Sequence, residues 1–228
     1  MIASKTLLID GDDTLWENNV YFEEAIEAFL DYLRHSSLNH EQVRSVLDEI
    51  ERLNSRVHGY GAAAFARNLR QTYERLAERP VEARDLEYLM MLGQRILKRD
   101  LQLLPGVVDT LAYLRSRHRL LLVTKGDPEE QRLKVEGSCV AGEFSEVVIL
   151  TEKDEQAYRD LVLAYHLDPP ATWMIGNSPR SDINPALSAG LNAVFIPHAQ
   201  TWRLEKEPLS ESERLLVLDA FGDLRRHF

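Results

Sequence analysis

Short apolar runs alternate with helical patterns along this chain, and the alternation restricts the fold more than any other feature. Each run is three or four residues long and is bounded by polar or turn-forming residues. The runs predict strands at residues 6–9, 120–123, 147–150, 173–175 and 193–196. Strands separated by helices are typical of a parallel sheet. The sequence therefore predicts an α/β fold.

The first and second predicted strands lie about 100 residues apart, far more than an ordinary connection needs. This stretch carries four amphipathic helical patterns and no convincing strand. Asn39 and Gln42 predict a capping box for the second helix, and Gly59-Tyr60-Gly61 predicts a break before the third. We expect a core domain at 1–16 and 100–228 and an inserted helical domain at 17–99. A helical lid of this kind would exclude water from a reaction.

The first apolar run leads into two carboxylates, Asp10 and Asp12. Open α/β sheets bind their ligands at the carboxyl ends of the strands. Two negative charges in one crevice need compensation. A Mg²⁺ ion and one shared proton would supply it, and the same groups would serve phosphoryl transfer through an aspartate nucleophile.

Four segments resemble, in order, the motifs of the haloacid dehalogenase-like superfamily. Residues 6–15, Thr-Leu-Leu-Ile-Asp-Gly-Asp-Asp-Thr-Leu, are similar to its first motif. Thr124 closes the second strand, Lys153 precedes an amphipathic helix, and residues 176–182 resemble the fourth motif. The resemblance covers nearly the whole chain. It implies a Rossmann-like, doubly wound parallel sheet with a helical cap inserted after the first motif.

The resemblance also implies roles for individual residues. Asp10 would be the nucleophile that forms an aspartyl-phosphate, and Asp12 the general acid and then the general base. The expected catalytic residues are Asp10, Asp12, Thr124 and Lys153, and the expected substrate-binding residues are Thr124, Lys125 and Lys153.

The family's Mg²⁺ site implies four ligand residues in this chain: Asp10, Asp12 through its backbone carbonyl, Asn177 and Asp182. Asn177 stands where the family pattern has an aspartate. Its amide oxygen can bind a cation but brings no charge, so we expect weaker Mg²⁺ affinity. The alternative is that the site holds no functional metal.

Composition restricts partners and compartment. The net charge of −10 argues against nucleic-acid binding, and no apolar stretch approaches the ~18 residues of a membrane span. A single cysteine, Cys139, fits a reducing compartment. Because only Met1–Lys5 precede the first predicted strand, we expect no signal peptide. We expect a cytoplasmic protein, monomeric or homodimeric, that acts on a small phosphorylated molecule.

The sequence leaves four functions open. The first is Mg²⁺-dependent hydrolysis of a small phosphomonoester, and the second is haloacid dehalogenase-type hydrolysis of a carbon–halogen bond. The third is a phosphomutase, and the fourth is a non-catalytic ligand-binding member of the fold. Asp12 favours phosphate chemistry, because carbon–halogen cleavage needs no proton for a leaving oxygen. The intact pair of carboxylates argues against a pure binder.

Overall fold

The protein is described here from a computed structural model that covers residues 4–228. Of the segment Met1–Lys5, on which the expected absence of a signal peptide rests, Met1 to Ala3 lie outside the described residues. Within residues 4–228, no helix combines the length and the apolar character that crossing a membrane requires.

A parallel sheet forms the centre of the α/β unit. Its strands within residues 4–228 are β1 (Thr6–Ile9), β2 (Arg119–Lys125), β3 (Glu146–Leu150), β4 (Thr172–Gly176), β5 (Asn192–Phe195) and β6 (Leu215–Val217). The spatial order is β3-β2-β1-β4-β5-β6, and every neighbouring pair is parallel. The predicted α/β class with a Rossmann-like parallel sheet is therefore confirmed. Because β1 lies between β2 and β4, their carboxyl ends meet at one edge of the sheet.

Helices occupy most of the remaining chain. They are α1 (Asn19–Leu33), α2 (His40–His58), α3 (Ala62–Leu76), α4 (Ala83–Leu97), α5 (Val107–Arg115), α6 (Pro128–Gly137), α7 (Glu155–Ala164) and α8 (Asn184–Ser188). A π-helical turn, Pro179–Ile183, leads into α8. The chain divides into two compact units, one formed by the segment up to Asn18 with Leu101–Phe228, the other by Asn19–Asp100.

The sheet is buried on both faces, which explains the continuous apolar character of its strands. Leu7 and Ile9 pack into one cluster with Leu122 and Ile175. Leu8, between them, packs into a second cluster on the other face. Leu7, Leu8 and Ile9 have no exposed surface.

The inserted unit is a four-helix assembly around its own apolar core. Phe29, Leu47, Leu69 and Leu89 are fully buried there, one from each helix. The predicted capping box of α2 is confirmed: Asn39 Oδ1 accepts from the Gln42 amide at 2.9 Å, and Gln42 Oε1 accepts from the Asn39 amide at 3.0 Å. The role of this unit as a cap remains a prediction.

One predicted element is wrong. The pattern from Glu211 to Ala220 predicts a helix, but the segment contains the strand β6, which pairs with β5. The Ala193 amide donates to Arg214 O and the Leu218 amide to Phe195 O, at 2.9 and 3.0 Å. A three-residue strand is too short to show a sustained alternation of apolar and polar residues. It forms because β5 supplies its hydrogen bonds.

We expect Gly93→Ala to destabilise the inserted unit by roughly 1–3 kcal/mol, because overpacking forces neighbours apart. A Cβ at Gly93 on α4 would lie 2.7 Å from Ala66 Cβ and 2.8 Å from Ala62 O on α3. Thermal unfolding would measure the effect. The matched control is Gly137→Ala in α6, where an added Cβ meets nothing within 4 Å. Equal stability of the two variants would contradict the prediction.

Candidate active site

The loop after β1 places Asp10 at the carboxyl edge of the sheet. The Asp10 amide continues the ladder by donating to Ile175 O of β4 at 2.9 Å. The chain then turns tightly, with the Leu15 amide donating to Gly11 O at 2.8 Å. A Cβ at Gly11 would lie 2.7 Å from the Trp16 ring, so the turn requires glycine there.

Lys153 joins the first and fourth motifs. Its Nζ donates to Asp10 Oδ1 at 2.5 Å and to Asp182 Oδ1 at 2.8 Å. Lys153 and Asp182 are 3% and 1% exposed, and Asp10 is 6% exposed. Three of the predicted site residues therefore meet in the interior of the α/β unit.

This cluster has one negative charge more than its lysine can compensate. Burial, and then the neighbouring Asp182 carboxylate, raise the pKa of Asp10 from 3.8 to about 7, although Lys153 opposes the shift. Burial alone would lower the pKa of Lys153, but the two carboxylates raise it overall. An additional cation beside Asp10 would restore its ionised form.

Thr14 contacts both Asp10 and Asn177 and so places the two side chains near each other. Thr14 Oγ1 donates to Asp10 Oδ2 at 3.1 Å and lies 3.4 Å from Asn177 Oδ1. The Asn177 amide nitrogen donates to Thr201 Oγ1 at 3.0 Å, which leaves its oxygen on the Asp10 side. The carboxylate oxygen of Asp10 and the amide oxygen of Asn177 are ligands of the kind that Mg²⁺ binds. These donors and the excess negative charge fit a divalent cation.

Asp182 is held by two protein contacts. One oxygen accepts from Lys153, and the other accepts from the Ser178 amide at 2.9 Å. A Cβ at Gly176 would lie 2.2 Å from Asp182 Oδ2, so glycine at the end of β4 permits this approach. These contacts position Lys153, and a direct bond from Asp182 to a metal remains a prediction.

Asp12 has a different environment from Asp10. Trp16 Nε1 donates to it at 2.6 Å, Gln131 Nε2 at 2.8 Å, and Lys134 Nζ reaches both of its oxygens at 2.9 and 2.8 Å. Burial alone would raise the pKa of Asp12, but Lys134, Gln131 and Trp16 together lower it. In the absence of a ligand Asp12 is therefore a carboxylate, and it must take up a proton before it can act as an acid.

Thr124 and Lys125, at the end of β2, contact other protein groups. Thr124 Oγ1 donates to Gln131 Oε1 at 3.1 Å. Lys125 Nζ lies 2.7 Å from Glu205 Oε1, 2.8 Å from Ser181 Oγ and 3.1 Å from Glu152 Oε1. Phosphate binding by Lys125 remains a prediction, since its ammonium contacts two carboxylates.

Sequence reasoning missed Trp16, Gln131, Lys134 and Glu205. Gln131 and Lys134 lie three positions apart on α6. Asp127 followed by Pro128 predicts the N-cap of this helix, and the structure confirms it: Asp127 Oδ1 accepts from the Glu129 and Glu130 amides at 3.0 Å. That spacing places two polar side chains on one helix face. The spacing of Gln131 and Lys134 is visible in the sequence, but it does not identify Asp12 as their partner.

A second group of possible metal ligands includes Asp13 of the first motif. Within residues 4–228, Asp13, Glu17 and His198 offer ligand atoms that all lie within 4.8 Å of one another. His198 Nε2 is 3.3 Å from Glu17 Oε2. The group could hold a divalent metal, and it differs from the ligand set predicted from the sequence.

Comparison with known proteins identifies the family of this chain. The family model of haloacid dehalogenase-like hydrolases matches residues 4–190. The chain belongs to this family. It is therefore a hydrolase, and its family and fold are those that the sequence predicted.

Individual relatives cover different shares of the chain. Phosphoserine phosphatase from Thermus thermophilus is 31% identical over 71% of this chain, and the match spans 63% of that protein. N-acylneuraminate-9-phosphatase from Mus musculus is 35% identical over 43% of this chain and 42% of its own length. The crystal structure of a haloacid dehalogenase-like hydrolase from Xanthomonas campestris has a TM-score of 0.84 and 27% identity, covering 99% of this chain and 94% of that one.

The raised pKa of Asp10 predicts a pH-dependent effect of Asp10→Asn. The unfolded chain releases the Asp10 proton near pH 4, whereas the folded protein keeps it until about pH 7, so the stability of the folded protein falls as the pH rises through that window. Asparagine stays neutral. We therefore expect the Tm of Asp10→Asn, relative to the unsubstituted protein, to be higher at pH 8 than at pH 5. Thermal unfolding in a metal chelator measures it, and a difference independent of pH would contradict it.

Proposed function

We propose that this hydrolase is a Mg²⁺-dependent phosphatase that cleaves a small phosphomonoester through an aspartyl-phosphate on Asp10. The observation that carries the proposal is the pair of carboxylates, Asp10 and Asp12, in two different environments within one loop. The phosphatase names of the relatives support it. Because the chain matches 63% of the length of the Thermus protein and less of the other, the activity is a proposal.

In the proposed reaction, an oxygen of Asp10 forms a bond to phosphorus while the bond from phosphorus to the leaving oxygen breaks. Asp12, having taken up a proton, transfers it to that oxygen, and the alcohol departs. Asp12 then accepts a proton from a water molecule whose oxygen bonds to phosphorus while the bond from phosphorus to Asp10 breaks, which releases inorganic phosphate and regenerates Asp10. Hydrogen bonding to the anionic substrate would raise the pKa of Asp12 for the first step.

Lys153 neutralises charge on the nucleophile and keeps Asp10 in one orientation through its 2.5 Å contact. Thr124 is proposed to offer its backbone amide and hydroxyl to the phosphate, and Lys125 to add positive charge.

A Mg²⁺ ion would be held by Asp10, the Asp12 backbone carbonyl, Asn177 and Asp182. When bound, it would neutralise phosphate charge and keep Asp10 ionised. The expected affinity is modest because Asn177 is neutral.

Asp12 separates this proposal from carbon–halogen hydrolysis, which has no leaving oxygen to protonate. Four N–H contacts hold Asp12 in place.

The inserted helical unit is proposed to act as the cap that selects the substrate. Cytoplasmic location and a monomeric or homodimeric state remain expectations.

The direct test is a phosphatase screen with and without Mg²⁺. It begins with 4-nitrophenyl phosphate and continues with a panel of small phosphomonoesters that includes phosphoserine and N-acylneuraminate 9-phosphate. Release of inorganic phosphate that depends on Mg²⁺ supports the proposal. Transfer of the phosphoryl group to a second position of the substrate, without free phosphate, would indicate a mutase. No turnover of any compound would reject both.

We expect Asp12→Asn to lower kcat by at least ~100-fold, because general acid–base catalysis contributes about 10²- to 10⁴-fold. Mg²⁺ binding should stay largely intact, since the proposed ligand is the backbone carbonyl. Phosphate release and isothermal titration with Mg²⁺ measure the two effects. Full retained activity would refute the role of Asp12.

Asn177→Asp should tighten Mg²⁺ binding by about 10-fold, since an added negative charge beside a divalent cation strengthens its binding. Isothermal titration of the metal-free protein measures the change. Asn184→Asp is the matched control, because its amide contacts Glu207 and Pro208 and lies outside the proposed ligand set. If neither the unsubstituted protein nor Asn177→Asp binds Mg²⁺ saturably at millimolar concentration, the metal site is rejected.

A further inference from the structure

Both carboxylate oxygens of Asp12 accept hydrogen bonds from neighbouring side chains. An ionised carboxylate offers about four acceptor sites. Asp12 Oδ1 accepts from Trp16 Nε1 and Lys134 Nζ, and Oδ2 accepts from Gln131 Nε2 and Lys134 Nζ. The side chain is still 20% exposed, so it remains accessible to a substrate. These contacts confine the carboxylate to one orientation, and a proton that it takes up replaces one of them.

The Lys134 ammonium makes three hydrogen-bond contacts with Asp12 and its loop. An ammonium group has three N–H donors. The Lys134 Nζ contacts are Asp12 Oδ1, Asp12 Oδ2 and, at 2.7 Å, Asn18 Oδ1. A lysine that served to bind phosphate would have donors directed at the substrate, whereas this one directs them at Asp12 and its loop.

Gln131 is equally constrained. It is 4% exposed, and its amide connects Thr124 Oγ1 to Asp12 Oδ2. A carboxylate accepts but does not donate, so the Gln131 nitrogen must face Asp12 and its oxygen must face Thr124. A Cβ at Gly126 would lie 2.8 Å from Gln131 Nε2, so glycine at that position leaves room for the amide.

We propose that Gln131 and Lys134 are positioning residues that set Asp12 against the leaving oxygen of the substrate. The inference rests on the proposed phosphatase function and extends it to a substrate class. Protonation of the leaving oxygen matters most when the departing alcohol is weakly acidic, as in alkyl phosphates. The Gln131–Lys134 pair therefore fits the protein to alkyl phosphates, since aryl phosphates expel an acidic phenol without help.

The test compares 4-nitrophenyl, phenyl and benzyl phosphate in the presence of Mg²⁺. The three share one ring, but only benzyl phosphate releases an alkyl alcohol. The measured quantity is kcat/KM, because it contains the steps up to departure of the alcohol and excludes hydrolysis of phosphorylated Asp10. The variants are Lys134→Gln and Gln131→Met, with Arg132→Gln as the control. Arg132 is exposed on the same helix and contacts Glu129 and Glu136.

We expect Lys134→Gln to lower kcat/KM for benzyl phosphate by at least ~30-fold, within the range of general acid catalysis, and for 4-nitrophenyl phosphate by no more than ~3-fold. Phenyl phosphate should lie between them. Gln131→Met should show the same order with a smaller loss, because it removes a neutral donor. Arg132→Gln should match the unsubstituted protein on all three compounds.

The outcomes separate the two proposals. An equal loss on all three phosphates, or no loss on any, overturns the positioning role while leaving the phosphatase function standing. An unsubstituted protein that releases no phosphate from these three compounds or from any member of the phosphomonoester panel in the presence of Mg²⁺ overturns the proposed function and this inference with it. Circular dichroism confirms that each variant is folded, and if Lys134→Gln is not, Gln131→Met carries the same test.

Discussion

A lysine ammonium held between two buried carboxylates is the interaction on which the site depends. Lys153 bonds to Asp10 and Asp182 in the interior of the α/β unit, where each charge would be costly by itself. Removing one partner of a buried ion pair costs on the order of 3–5 kcal/mol, because the remaining charge is left without compensation. The contact therefore orients Asp10 and connects the segments that follow three strands, β1, β3 and β4.

The same contact explains why two aspartates in one loop differ chemically. Asp10 shares its single cation with Asp182, and the pKa of Asp10 rises to about 7. Asp12 has Lys134 and two neutral donors of its own, and the pKa of Asp12 falls. An incoming cation is most favourable at Asp10, where a positive charge is lacking. Asp12, by contrast, rests as a carboxylate whose negative charge Lys134 already compensates.

Three glycines make these contacts possible by leaving space. Gly176 permits Asp182 to approach the end of β4, Gly11 accommodates the Trp16 ring, and Gly126 leaves room for Gln131. In each case an added Cβ would lie within 3 Å of a side-chain atom of the site. Backbone approach of this kind is as much a part of the site as the charged groups, because hydrogen bonds weaken steeply when donors and acceptors are displaced.

Features that depend on neighbouring residues were determined by the sequence alone: the β1 strand, the Asn39–Gln42 capping box, the Asp127 cap of α6, and the order of the motifs that carry Asp10, Thr124, Lys153 and Asp182. The tertiary structure decided the rest. It made 215–217 a strand because β5 supplies the hydrogen bonds, and it assigned Gln131 and Lys134 to Asp12 across 119 and 122 residues of chain. A helix cap forms its hydrogen bonds within a few residues, and an apolar run indicates burial whichever partner covers it. A buried polar side chain is satisfied by whichever partner the fold brings to it, and no local pattern names that partner.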